Sequence, residues 1–375
     1  MNPFLKPSIP VTALSRGASA LLMLAMTAGT SAANQYWDRY GDQPVEIRQQ
    51  SGGTTQTLTF VDFQDGMLIA QTDDGGGEIS LPVNESMARN LRLDLDALSQ
   101  VGGLVEQEEY DAALERLRPL AYPLIKFTPV PESFSQLHDT VQMLIDTLVN
   151  AGEYEEAEDI LDRIQLDESP IRYSRSALRL LNAYLADEQF ENAAELARSL
   201  PVQGDYAANI RPILDAADAL RGADRYAAVI PLYRAIQDVV SGDARQNIRM
   251  WLAYSLVLDG QMDEARPMID ELEEPGVKDP LFSLYKLLHG SLAYREDQFG
   301  EALDILTRGF VRAQTSYQWV PEMLFLIGDC YARSDDLVAA RNVWTEIAIL
   351  YPESPWAARA EDSLDELPEE IKADD

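Results

Sequence analysis

The chain has 375 residues, 46% of them hydrophobic, which is enough apolar material for a sizeable core. It carries 63 acidic residues against 30 basic ones, a formal net charge of -33, and such a surface repels phosphate backbones and anionic lipid headgroups. Nucleic acid is therefore not an expected partner, and the single cysteine, Cys330, excludes an internal disulfide.

The first 33 residues predict a secretory signal peptide. Lys6 and Arg16 precede an apolar stretch at residues 20–29, and the small residues Ser31 and Ala33 have the spacing that signal peptidase requires. The apolar stretch is too short to span a membrane as a helix, and no cysteine follows it as in a bacterial lipoprotein. We expect cleavage after Ala33, no integral membrane segment thereafter, and a periplasmic or secreted protein.

Residues 34–92 predict a small antiparallel β module. Residues 56–63 alternate with period two, residues 67–72 and 78–83 continue after turn signals, and residues 44–50 supply a fourth strand. Because so short a module has little hydrophobic core of its own, we expect an SH3-like or Sm-like barrel that docks on the first helical repeat. Its role is either to cap the helices that follow or to provide a second binding surface.

Residues 93–367 contain a repeated phrase, in which a large apolar residue is followed three positions later by a small one. The seven large residues, called anchors here, are Tyr110, Tyr154, Phe190, Tyr226, Met262, Phe299 and Leu337. The small residues are Ala113, Ala157, Ala193, Val229, Ala265, Ala302 and Ala340. Each anchor lies between two stretches of helical periodicity, which predicts helical hairpins with the small residue buried where the two helices cross.

These features resemble the tetratricopeptide repeat. The last full repeat matches best, with Gly328 and Tyr331 on its first helix, Ala340 and Trp344 on its second, and Pro352 after it. The anchor spacings, by subtraction 44, 36, 36, 36, 37 and 38, exceed the usual repeat length, and the first spacing leaves room for a Pro-rich insertion. The resemblance implies a mainly α protein: a right-handed solenoid of about seven repeats and a closing helix over residues 93–367, then an acidic tail at residues 368–375.

The phrase YPESPWAARA near the end of the chain resembles the repeat ends of periplasmic envelope proteins. Examples are the outer-membrane barrel-assembly lipoprotein and the Tol-Pal-associated protein. The resemblance implies a non-catalytic scaffold or adaptor that binds other proteins in the periplasm or outer envelope.

Residues that could support catalysis or bind a metal are few. His138 and His289 are the only histidines, both in helical runs, and no hydrolase, Walker, dinucleotide or zinc motif occurs. Cys330 lies in an apolar run typical of a buried thiol. The DDGGGE segment at Asp73 lacks the EF-hand spacing and is typical of a turn. We therefore predict no enzyme activity, catalytic residues, metal site or cofactor.

The first helices of such hairpins line a concave groove that can hold a peptide. The repeat register predicts that Arg211, Arg221, Arg295 and Arg333 form a positive strip for an acidic or C-terminal carboxylate segment, the alternative being ion pairs between repeats. The candidate groove residues are Arg175, Asn182, Arg211, Asp218, Arg221, Asn247, Tyr254, Tyr294, Arg295, Asp329 and Arg333. A second hypothesis is a cell-wall or carbohydrate-associated protein, in which the β module binds ligand through exposed aromatics such as Tyr36, Trp37 and Tyr40 and the repeats act as a spacer.

Overall fold

The structure is a computed structural model that describes residues 35–51, 54–72, 77–93, 98, 100–205 and 207–372. The predicted signal peptide, residues 73–76 of the predicted turn and the end of the acidic tail lie outside these residues. The described chain is 65% helix, with fourteen long helices and a small antiparallel sheet near its N-terminus. The prediction of a mainly helical protein preceded by a β module is therefore confirmed.

The β module contains all four predicted strands and one more. The strands are β1 Val45–Ser51, β2 Thr54–Gln64, β3 Met67–Thr72, β4 Glu78–Pro82 and β5 Leu91–Leu93, in the sheet order β4-β3-β2-β1-β5. Sequence reasoning missed β5, which has only three residues, and the short helix α1, Glu85–Ala88, before it. Asp65 and Gly66 join β2 to β3 with positive φ at both positions, as a tight two-residue hairpin turn requires.

The β module packs on the Pro-rich insertion. Tyr122–Phe127 forms a 3-10 helix, and the Phe60 ring from β2 lies 4.6 Å from Phe127 and 6.0 Å from Phe134, measured between centroids. The backbone N–H of Leu93 donates to the Gln136 side chain at 3.0 Å. The docking surface therefore comes from the insertion and the helix after it, which corrects the expectation of docking on the first repeat.

Fourteen helices follow one another in the described chain as seven pairs, each joined by a short turn and called a hairpin for that turn. They are α2 Val101–Glu106 and α3 Tyr110–Ala121; α4 Ser135–Ala151 and α5 Tyr154–Arg163; α6 Arg172–Ala186 and α7 Phe190–Ser199; α8 Ile210–Gly222 and α9 Tyr226–Gln237; α10 Gly242–Leu258 and α11 Met262–Asp270; α12 Leu281–Arg295 and α13 Phe299–Phe310; α14 Val320–Arg333 and α15 Leu337–Leu350. The expected closing helix is α16, Pro355–Asp365, and a short α17, Glu369–Lys372, lies in the acidic tail.

Every anchor is the first residue of a second helix, and the turn before it is the same in all seven hairpins. The residue two positions before the anchor has positive φ, from 56° at Glu188 to 82° at Gly260. The next backbone N–H bonds to a carbonyl five residues back, as Gln189 does to Tyr184 at 2.8 Å. This hydrogen bond gives a donor to a backbone carbonyl at the helix end that would otherwise have none within the helix. All seven small residues are fully buried, which confirms that part of the prediction.

The chain forms two compact units. The first comprises residues up to Ala183 together with Gln203–Ala208, and the second comprises Tyr184–Val202 and Asn209–Asp375. In the second unit the final core joins α14, α15 and α16 through Leu324, Trp344 and Trp356. Gly328 lies against the Trp344 ring, because a Cβ there would be 2.7 Å from Trp344 Cδ1.

Candidate functional site

The second unit contains a cavity whose lining includes some of the predicted groove residues. This cavity, the groove cavity below, has a volume of about 590 Å³, within the range of ligand sites. Its lining combines apolar side chains with carboxylates: Arg211, Leu214, Asp215, Asp218, Tyr233, Val240, Asp243, Ala244, Asn247, Ile248, Trp251, Asp279, Pro280, Leu281, Ser316, Tyr317, Gln318 and Trp319. The structure thus brings the predicted residues Arg211, Asp218 and Asn247 together.

A second cavity of about 510 Å³ adjoins the groove cavity, because both are lined by Asp218 and residues 316–318. Its other walls are the end of α8, the start of α14 and the segment from Leu350 to Trp356, and the predicted residue Arg221 is among its lining side chains. Arg359 of α16 reaches the same end of α8, where it donates to the Gly222 carbonyl at 3.3 Å and pairs with Asp224 at 2.5 Å. The closing helix therefore bounds one end of the site.

The segment between α13 and α14 separates the two cavities. Tyr317 and Trp319 are stacked with ring centroids 4.7 Å apart, and Trp319 meets Trp251 edge-on at 5.9 Å. The Trp319 indole N–H donates to the Ser283 hydroxyl at 3.0 Å, which holds the ring in place. Sequence reasoning missed both residues, although the 38-residue spacing from Phe299 to Leu337 was a sign of extra chain in this connection.

Arg221 and Tyr254 are buried, which corrects their assignment to an open groove surface. Arg221 is 6% exposed: its guanidinium lies 3.6 Å from the Trp251 ring centroid and donates to Asp218 at 2.9 Å and to Tyr233 at 3.0 Å. Tyr254 is fully buried, and its hydroxyl donates at 2.5 Å to Glu322, itself 2% exposed.

This buried network has shifted pKa values. Burial raises the pKa of Glu322 and of Asp218, and the positive charge of Arg221 opposes both shifts. Arg221 is therefore the principal positive charge in this network, and its guanidinium has partners within the second unit.

The predicted positive strip does not form, because its arginines already have partners within the chain. Exposed Arg211 pairs with Asp215 at 2.8 Å, and Arg333 pairs with Asp329 at 3.6 Å. Arg295, also exposed, donates to the Leu258 carbonyl at 2.9 Å. Tyr294 bonds Asp329 beside that pair, so Tyr294, Arg295 and Arg333 lie away from both cavities.

Ion pairs between repeats, the alternative to the strip, occur at other arginines, whereas Arg211, Arg221 and Arg333 pair within their own helices. Arg234 pairs with Glu264 at 2.6 Å from one hairpin to the next, and Arg266 pairs with Glu296 in the same way one hairpin later. Arg175 and Asn182 lie on α6 in the first unit, where both are exposed. They are therefore not part of either cavity.

In the first unit, the aromatics near the β module are packed against helices. The Trp37 indole donates to Asp159 at 2.8 Å, meets Tyr122 edge-on at 5.1 Å, and has the Arg163 guanidinium 4.3 Å from its ring centroid. Arg118 lies 4.1 Å from the Tyr36 centroid. These faces are occupied by the chain itself, so they do not form the open aromatic platform that the carbohydrate hypothesis requires.

A polar network lies beneath these aromatics. Arg118 makes two bonds to Glu156, at 2.9 and 2.7 Å, and the Tyr122 hydroxyl donates to the same carboxylate at 2.8 Å. Glu156 is only 7% exposed, and the paired arginine compensates the cost of burying its charge.

The histidines and the cysteine have the properties of packed side chains. His138 is fully buried between the Tyr173 hydroxyl, at 2.7 Å, and the Val130 carbonyl, at 3.2 Å, and burial lowers its pKa to about 4. His289 lies against Tyr285, and burial lowers its pKa too, but its Nε2 has no hydrogen-bond partner among the described residues. Cys330 is buried as predicted, which raises its thiol pKa to about 12.

Within the described part of the chain, no group of three or more His, Cys, Asp or Glu side chains could hold a metal ion. No helix among the same residues is both long enough and apolar enough to cross a membrane.

Comparison with known proteins gives no family for this chain. No protein-family model matches it, and no curated protein matches it significantly. Among solved structures, one match is the crystal structure of BtubC (BKLC) from P. vanneervenii, with 16% sequence identity and a TM-score of 0.28. That match covers 73% of this chain and 94% of the other.

Proposed function

We propose that this chain is a non-catalytic, protein-binding helical-repeat protein of the tetratricopeptide type, and that the groove cavity of its second unit holds a segment of a partner protein. The observation that carries the proposal is the composition of that cavity. Apolar side chains such as Leu214, Ile248 and Trp251 line it beside carboxylates, Asn247 and Gln318. Apolar pockets with a few placed polar groups are typical of peptide and ligand recognition.

A scaffold is favoured over an enzyme because the reactive side chains are committed to packing. His138 is buried, holds its hydrogen bonds and has a lowered pKa, so it is a poor general base near neutral pH. The buried Cys330 thiol, with a raised pKa, is a poor nucleophile. Neither residue lines the groove cavity or the cavity that adjoins it.

We further propose that the protein works in the periplasm or outer envelope, on the basis of the N-terminal sequence pattern. N-terminal sequencing of the protein from an envelope fraction is expected to begin at Asn34. Recovery of the chain with Met1 in the cytoplasmic fraction would contradict this placement.

The binding proposal is tested by peptide-display selection on the full chain and by two matched variants. Ala244 is an exposed residue in the first turn of α10 that lines the groove cavity, so Ala244→Trp places a large side chain across it. Ala219 is an exposed alanine of α8 outside the lining, so Ala219→Trp is the control. Selected peptides should bind the unmodified chain and Ala219→Trp but lose at least about tenfold in affinity for Ala244→Trp, because the indole occupies their site. Equal binding to both variants, or no selectable peptide, would refute the proposal.

A further inference from the structure

The charges that face the groove cavity select the chemistry of its occupant. Among its lining side chains, Arg211 is neutralised by Asp215 at 2.8 Å, and Asp218 is neutralised by Arg221 at 2.9 Å. Asp243, in the first turn of α10, has no ion-pair partner among the described residues.

Asp279, just before α12, also lines the cavity and is exposed. Its carboxylate accepts only the backbone N–H of Leu281, at 2.8 Å, among the hydrogen bonds of the described chain. The cavity therefore has two uncompensated carboxylates, Asp243 and Asp279, at its rim.

The apolar part of the cavity adds a second requirement. Tyr317 and Trp319 are half-buried, so the uncovered part of each ring contributes to the wall beside Leu214 and Ile248. Such a wall accommodates a large apolar or aromatic side chain, and aromatic faces also attract a guanidinium or ammonium group. The rim and the wall together fit a cation carried next to an apolar side chain.

We propose, on the basis of the function proposed above, that the partner segment carries an arginine or lysine adjacent to a large apolar residue. The apolar side chain lies on the wall formed by Leu214, Ile248 and Trp319, and the cationic side chain lies between Asp243 and Asp279. The net charge of -33 attracts such a segment from a distance. An acidic segment, which the sequence predicted, meets carboxylates of its own sign at this rim.

The test uses peptides selected by display on the full chain, resynthesised with a fluorescent label and titrated against charge variants. Asp243→Asn and Asp279→Asn each remove one charge, and asparagine at position 279 retains an oxygen for the Leu281 N–H. Asp263→Asn is the matched control, because Asp263 is an exposed first-turn aspartate of α11 outside the cavity.

The selected peptides should be enriched in arginine or lysine beside tryptophan, phenylalanine or leucine. Asp243→Asn and Asp279→Asn should each weaken binding about two- to fivefold, the effect of one exposed ion pair, and Asp263→Asn should leave it unchanged. Raising the salt from 0.05 to 0.5 M should weaken binding to the unmodified chain more than binding to the double variant.

The outcomes separate this inference from the function on which it rests. The cationic partner is overturned if the selected peptides are acidic or uncharged, or if they bind both Asp→Asn variants as tightly as they bind the unmodified chain. If Ala244→Trp still abolishes the binding of those peptides, the proposed function stands. Peptides that Ala244→Trp does not affect would overturn the proposed function itself, and the inference with it.

Discussion

Arg221 gives the sharpest test of how the second unit is held together. Arg221→Met removes the charge of a side chain that is 6% exposed, and this charge is the principal positive neighbour of two carboxylates, Asp218 and the buried Glu322. Removing one partner from a buried charge pair costs about 3–5 kcal/mol, because the remaining charge stays desolvated. We expect the free energy of unfolding to fall by that amount, although methionine fills much of the volume.

The assay is denaturant unfolding followed by tryptophan fluorescence, since four of the five tryptophans lie in the second unit. Arg211→Met is the matched control, because that arginine and its partner Asp215 have side chains 73% and 53% exposed. Exposed ion pairs contribute about 0–1 kcal/mol, so the control should change stability little. A loss below about 1 kcal/mol in Arg221→Met would refute the role of this arginine as the cation of the buried network.

The pH dependence of the same variant gives an independent check. Burial raises the pKa of Glu322 and Asp218 above their unfolded values, and removing Arg221 raises both further. An acid whose pKa is raised by folding destabilises the protein at high pH, and the penalty is relieved as pH falls through the folded pKa. The loss in Arg221→Met should therefore be smaller at pH 5 than at pH 8. Adding Glu322→Gln should recover part of it at pH 8, and a double variant no more stable than the single one would contradict this account.

Three further perturbations address the repeat geometry and the first unit. Gly328→Ala places a Cβ 2.7 Å from Cδ1 of the rigid Trp344 ring, so thermal unfolding should show a loss of about 1–3 kcal/mol. Glu188→Gly should stabilise the chain by about 0.5 kcal/mol because its φ is 56°, and Gly152→Ala should destabilise it by about 1 kcal/mol because its φ is 78°. The pKa of His138 is about 4 in the folded chain and 6.5 in the unfolded chain. The free energy of unfolding should therefore fall by about 3 kcal/mol as pH falls from 6.5 to 4, and His138→Gln should flatten that part of the stability profile.

Each of these three predictions has its own contrary result. Gly300→Ala is the control for position 328, since Gly300 lies in α13 with no atom near its missing Cβ, and that alanine should stabilise the helix by about 1 kcal/mol. Equal effects at the two glycines would show that Trp344 does not limit the space. A loss of stability in Glu188→Gly together with a gain in Gly152→Ala would contradict the common turn geometry. A stability profile with the same slope in His138→Gln would assign the acid sensitivity to other groups.

The sequence by itself determined the helical hairpins and their register. Period and spacing are local properties: an anchor such as Tyr226 begins its helix because a left-handed turn ends the helix before it, and a small residue such as Val229 is required where two helices cross. The four longer strands could be predicted for the same reason, because alternation and turn signals lie within a few residues of one another. The same reasoning missed β5, whose three residues are too short to show a period.

Only the tertiary structure decided which side chains on those helices are available to a partner. Arg211 and Arg221 are both arginines of α8. Arg211 is exposed beside Asp215, whereas Arg221 is buried against Trp251, Asp218 and Tyr233. The burial of Arg221 depends on side chains from other hairpins, and Glu322 lies 101 residues away from it in sequence. Contacts over such separations leave no local pattern. The cavity wall of Tyr317 and Trp319 was missed for the same reason, because it forms where an irregular connection meets α10.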